Sequence, residues 1–105
     1  MSIPTVTSVP AGALLLDVRE PDEWAAGHAP SAIHVPLGEL PGRLAEVPRD
    51  RPVVAVCRGG GRSAKATAFL REAGVDAHNL DGGMKAWAAA GNPMEADGAA
   101  PPTVA

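Results

Sequence analysis

The sequence predicts an α/β domain built on a mostly parallel sheet, and three observations carry that expectation. Short apolar runs recur along the chain with stretches of helical spacing between them. The runs Ala13 to Val18 and Val53 to Val56 lack the apolar–polar alternation of a half-solvated strand, so they suit strands covered on both faces. The second run feeds straight into the glycine-rich stretch Gly59-Gly60-Gly61, where a loop at a strand's carboxyl end binds ligands in folds of this class.

Taken in order, Thr5-Val6-Thr7 suits a short edge strand, and Ala13-Leu14-Leu15-Leu16-Asp17-Val18 a buried one that ends in charge at Arg19 and Glu20. Pro21-Asp22-Glu23-Trp24 opens a short helix with acidic residues in its first turn, and Gly27 ends it. Ala32-Ile33-His34-Val35 is a third strand, after which Leu37, Leu40, Leu44 and Val47 recur at helical spacing up to Pro48. Pro52 to Val56 is the most strand-like segment. Beyond the glycines, Ala64, Ala66, Ala68, Phe69 and Leu70 give a helix that stops at Gly74. A further strand lies within Asp76 to Leu80, Gly82-Gly83 turns the chain, and Met84 to Ala90 forms a helix closed by Gly91 and Pro93. Residues 1–94 thus read as the domain. Residues 95–105, rich in Ala, Gly and Pro, read as a flexible tail.

Composition narrows the function classes. With 105 residues the chain can bury one core. A net charge of -3 argues against a nucleic-acid or anionic membrane surface, and any positive charge that matters is local. The single cysteine cannot form an internal disulfide and suits a reducing cytoplasm. It and His28, His34 and His78 show no metal-ligand spacing, so neither a metal nor another cofactor is expected. No apolar run approaches the ~20 residues of a membrane span.

The chemistry centres on that cysteine. Cys57 opens the run Cys57-Arg58-Gly59-Gly60-Gly61-Arg62-Ser63 between a buried strand and a helix. Loop amides and the unpaired N–H groups of the helix's first turn can converge there, and two guanidinium groups flank the same residues. Such a field favours the thiolate and attracts an anion. Gly59, Gly60 and Gly61 admit positive φ and close approach of a ligand, and Ser63 is placed to cap the next helix or donate to the sulfur. A lone cysteine after a strand is usually an inert small hydrophobe. Three glycines and two arginines within five positions make that reading a poor one here.

With these residues in view, the chain resembles the rhodanese-homology domain of single-domain sulfurtransferases. Leu16-Asp17-Val18-Arg19-Glu20-Pro21-Asp22-Glu23-Trp24, then Gly27-His28-Ala29-Pro30 and Ala32 to Leu37, is similar to the family's amino-terminal signature. Val56 to Ala64 is similar to its active-site loop, and Asn79-Leu80-Asp81-Gly82-Gly83-Met84-Lys85-Ala86-Trp87 to its carboxy-terminal motif. The resemblance spans residues 13 to 92. Ala29 and Ser31 depart from the usual pattern, at positions of packing and turn.

The resemblance implies a three-layer fold, with a five-stranded, mostly parallel sheet flanked by helices. It implies that Cys57 takes the outer sulfur of thiosulfate as a persulfide and passes it to cyanide or a thiol. Arg58, Gly59, Gly60, Gly61, Arg62 and Ser63 would bind substrate, and Asp17 and Arg19 would support the site, most simply as a structural ion pair. A small-molecule donor and acceptor are implied, with room for a sulfur-relay protein. His28 reads as a cap in a hydrogen-bonded turn rather than a base, Trp24 and Trp87 as packing, and Gly82-Gly83 as a backbone necessity. Two other classes stay open: a non-catalytic or carrier module that docks a protein, and a cysteine phosphatase or arsenate reductase. The phosphatase loop holds five residues between Cys and Arg, whereas four lie between Cys57 and Arg62.

Overall fold

A computed structural model describes residues 3–105. Five strands form one parallel sheet: β1 (Thr5–Val6), β2 (Leu14–Asp17), β3 (Ile33–His34), β4 (Val53–Val56) and β5 (Ala77–Leu80), in the order β1-β5-β4-β2-β3. Helices α1 (Pro21–Ala26), α2 (Gly61–Glu72) and α3 (Gly83–Ala89) complete the α/β fold. Strand β4 has neighbours on both sides, β2 and β5, and both its faces are covered, which explains why Val53, Val54, Ala55 and Val56 are all apolar and all buried.

Side chains of β4 alternate between two cores. Val53, Ala55 and Cys57 join Leu16, Ala66 and Leu70 on the α2 face, while Val54 and Val56 join Leu15, Leu80 and Met84 on the other. Helix α2 turns Ser63, Ala66, Thr67 and Leu70 inward, the spacing of one helix face. Its small inner residues let it sit close over the sheet.

The stretch from Leu37 to Val47 differs from expectation. No α-helix forms there: two 3-10 turns, Leu37–Glu39 and Pro41–Glu46, hold Leu37 and Leu44, Leu40 and Val47 cap them, and Arg43 (φ -119°) breaks the second. Pro41 removes an amide from the middle of the run, so i→i+4 bonding cannot continue through it. Leu40 and Val47 still reach the core.

The segment after Met94 is laid against the domain by its backbone. His28 and Glu95 exchange amide–carbonyl bonds of 2.9 and 2.8 Å, the Asp97 amide donates to the Ala25 carbonyl, and the Thr103 amide to the Ala26 carbonyl. Met94 and Val104 pack on the second core. Composition shows none of this, because peptide groups rather than side chains make most of the contacts. Gly27 has extended backbone (φ 172°). It is needed for space, since a Cβ there would overlap the Thr103 carbonyl and lie 2.8 Å from the Thr103 nitrogen.

Asp17 and Arg19, both fully buried, form a forked ion pair at the end of β2. Arg19 Nε and Nη2 donate to the carboxylate at 2.9 and 2.7 Å, and Nη2 also donates to the Gly27 carbonyl at 2.8 Å. The pair ties the strand end to the end of α1. Replacing Asp17 by Ala leaves a buried guanidinium without its counter-charge, so we expect a loss of about 3–5 kcal/mol in urea unfolding. A loss under about 1 kcal/mol would show that the pair does not hold the strand end.

Candidate active site

Cys57 follows β4 directly and is only 2% exposed. The chain then turns through Gly60, whose φ of +122° is open to glycine and strained for other residues. That turn brings the Gly60 amide to 3.0 Å from Cys57 Sγ. Ser63, buried in the first turn of α2, sets its Oγ 3.3 Å from the same sulfur. Gly60 is the loop glycine that takes positive φ. At Gly59 and Gly61 a Cβ would meet nothing within 4 Å, so these two leave open space beside the loop.

Ser63 Oγ also lies 2.5 Å from Asn79 Oδ1, and Asn79 Nδ2 donates to the Gly60 carbonyl at 3.3 Å. A hydroxyl has one proton to give, so the sulfur, the Asn79 oxygen and the Gly60 carbonyl, 3.2 Å from Oγ, compete for it. Asn79 is 8% exposed on β5 and braces both the hydroxyl and the turn.

Helix α3 holds the loop from the other side. The Met84 amide donates to the Cys57 carbonyl at 2.8 Å, and the Lys85 amide to the Arg58 carbonyl at 3.1 Å. These are first-turn amides that have no partner within their own helix. Gly83 (φ +58°) permits the approach: a Cβ there would overlap the Cys57 carbonyl oxygen and lie 2.7 Å from that of Arg58. Gly82-Gly83 is thus more than a turn before a helix.

Electrostatically the site favours a thiolate. Burial pushes the Cys57 thiol up, but the Ser63 hydroxyl and the amides of Ser63, Gly60 and Gly59 outweigh it and bring it below its ordinary value. The two arginines are both engaged. Arg62 Nη1 and Nη2 donate to Glu23 Oε1 and Oε2 at 2.5 and 2.8 Å. Glu23, held by this guanidinium above all, drops from about 4.5 to about 2, and Arg62 rises. Arg58 is exposed, and its Nε donates to the Ala105 carbonyl at 3.1 Å.

Of the predicted site residues, Cys57, Gly60 and Ser63 converge on the sulfur, whereas Arg58 and Arg62 stand at the rim with partners of their own. Asp17 and Arg19 pair with each other. His28 Nδ1 bonds the Trp24 carbonyl at 2.7 Å, and the ring stacks on Trp24 at 3.7 Å, so its contacts lie on α1 and the tail. Sequence reasoning missed Glu23 and Asn79 as site residues. Strand β5 carries two polar residues, His78 and Asn79, and nothing local says that Asn79 is the more buried one. The Glu23–Arg62 pair joins residues 39 apart and has no local signal. Among the described residues, no group of three or more His, Cys, Asp or Glu lies together as a metal site would need.

A single free cysteine at the carboxyl end of the central strand, facing backbone amides and the start of a helix, defines a thiol-loop α/β domain. Comparison with known proteins gives its family: the rhodanese-like domain model matches residues 7–90, and the chain belongs to that family. It is 45% identical over 84 residues to a protein named "Sulfurtransferase" from Allochromatium vinosum, covering 79% of this chain and 78% of that one. It is similar in structure to a rhodanese-related protein from Thermoplasma volcanium, with a TM-score of 0.76 and 33% identity over 80% of this chain and 84% of that chain. Part of an NAD-dependent persulfide reductase from A. fulgidus is also similar, with a TM-score of 0.66 and 38% identity over 79% of this chain and 15% of the enzyme.

Replacing Ser63 by Ala removes the hydroxyl that lowers the Cys57 thiol, so the pH midpoint of iodoacetamide alkylation should move upward; an unchanged midpoint would leave the amides alone responsible. Stability should carry the mark of Glu23. Its folded value lies below its unfolded one, so the Arg62 pair stabilises fully above about pH 4.5 and is lost as pH falls towards about 2. In Glu23→Gln that part of the acid limb should flatten, as followed by circular dichroism. An unaltered limb would mean that the pair adds nothing.

Proposed function

We propose that this chain is a sulfurtransferase that carries sulfur on Cys57. The observation that bears most weight is the convergence of the Gly60 amide and the Ser63 hydroxyl on the sulfur of the lone cysteine. The name of the A. vinosum relative points the same way. In the first step the Cys57 thiolate attacks the outer sulfur of thiosulfate or a similar sulfane donor. The S–S bond of the donor breaks, sulfite leaves with the electron pair, and a Cys57 persulfide anion remains. Loop amides from Arg58 to Ser63 hold that anion, and the open space at Gly59 and Gly61 gives the added sulfur room. In the second step cyanide or a thiol attacks the outer sulfur and restores the thiolate. Two half-reactions through one covalent enzyme form predict ping-pong kinetics.

The phosphatase reading has less support. The two Arg62 nitrogens that would grip a phosphoryl group are both taken by Glu23. A non-catalytic docking role gives no reason for amides and a hydroxyl to face a thiol. A reducing compartment such as the cytoplasm suits the free thiol, and a protein partner in a sulfur relay is compatible with both steps. No helix among the described residues is long and apolar enough to cross a membrane.

Intact mass of the reduced protein, before and after thiosulfate, tests the reading. One sulfur atom should be gained, then lost to cyanide as thiocyanate, and Cys57→Ser should gain none while keeping its fold. Full turnover by Cys57→Ser would overturn the mechanism.

A further inference from the structure

The unexpected feature of the site is that Arg62, one of the two cations of the thiol loop, is already paired with a carboxylate. Glu23 is not a mobile surface carboxylate. Its side chain is 15% exposed, Oε1 also accepts the Glu20 amide at 3.0 Å in the capping box of α1, and both oxygens are held by Arg62. The carboxylate is thus fixed at the start of one helix against the first turn of another. Arg62 stands in the first turn of α2, next to Ser63, whose Oγ lies 3.3 Å from the sulfur. Resting on the sulfurtransferase reading, we propose that Glu23 is a specificity-determining residue: by pairing with Arg62 it cancels the positive charge at the rim of the thiol loop and favours a sulfur donor of single negative charge, a persulfide RSS⁻, over the dianion thiosulfate.

The charge balance of the two loading steps gives the reason. From a persulfide, Cys57–S⁻ and RSS⁻ become Cys57–SS⁻ and RS⁻, two negative charges throughout. From thiosulfate, Cys57–S⁻ and S₂O₃²⁻ become Cys57–SS⁻ and SO₃²⁻, three throughout. The loop offers amides and a hydroxyl to the sulfur, which serve one anion well. The extra charge of thiosulfate needs a cation, and Arg62 supplies none in net terms while Glu23 holds it. Arg58, the other cation of the loop, is exposed and donates to the Ala105 carbonyl.

The test compares kcat/KM for Cys57 loading by thiosulfate and by 2-hydroxyethyl persulfide. Glu23→Gln removes the negative charge and should raise the thiosulfate-to-persulfide ratio about tenfold, whereas Glu23→Asp, which keeps the charge, should stay near the wild-type ratio. Arg62→Gln should lower the ratio, and the double variant Glu23→Gln, Arg62→Gln should return it towards wild type, a rescue that a merely structural role would not produce. If both donors load the protein and the ratio is the same in wild type, Glu23→Gln and Arg62→Gln, the role of Glu23 is overturned and sulfur transfer stands. If neither donor loads the wild-type protein, the sulfurtransferase reading itself fails.

Discussion

The site depends on which groups satisfy the carbonyls of Cys57 and Arg58. A loop that turns its amides towards a sulfur leaves its carbonyls facing the protein, where an unmet acceptor is costly. The first-turn amides of α3 meet both, from Met84 and Lys85. Two sets of unpaired groups, the carbonyls of a loop and the amides of a helix start, thereby satisfy each other. Gly83 is the geometric condition for that exchange, and Met84 anchors the same turn in the second core. With its carbonyls fixed in this way, the loop can present Gly60 to the sulfur.

Much of this was legible in the sequence, and for physical reasons. A strand flanked on both sides must be apolar throughout, so Val53 to Val56 declared itself. The thiol loop stood out as a run, because three glycines and two arginines after a lone cysteine are hard to explain as packing, but which glycine takes positive φ did not. What was not legible involved partners far along the chain or carried by the backbone. The carboxylate of Glu23 looked like an ordinary first-turn acid, and nothing near Arg62 in sequence named its partner. The leucines from Leu37 to Val47 have the spacing of a helix, but Pro41 and the break at Arg43 turn the same side chains inward on 3-10 geometry. The residues after Met94 have little to bury, and their contacts run through peptide groups that every sequence has.

The charges divide into two kinds. Asp17 and Arg19 are buried, paired and turned to holding the end of β2 against α1. Glu23 and Arg62 are half-open at the mouth of the site, where their balance bears on what approaches the sulfur. Both pairs fix α1, the first against the end of β2 and the second against the first turn of α2. The short helix, only six residues long, would be marginal alone, and these tertiary ties are what give it a fixed place.

The strand order has a consequence in time. Thr5 and Val6 pair with Asn79 and Leu80, so among the described residues the first strand made has its neighbour in the last. On a ribosome β1 emerges early and stays unpaired until Leu80 has cleared the exit, and closing that long loop is among the slower kinds of contact a chain can form. Asn79, which braces Ser63 and the Gly60 turn, lies in the same register. Assembly of the sheet edge and readiness of the thiol loop therefore come late, and together.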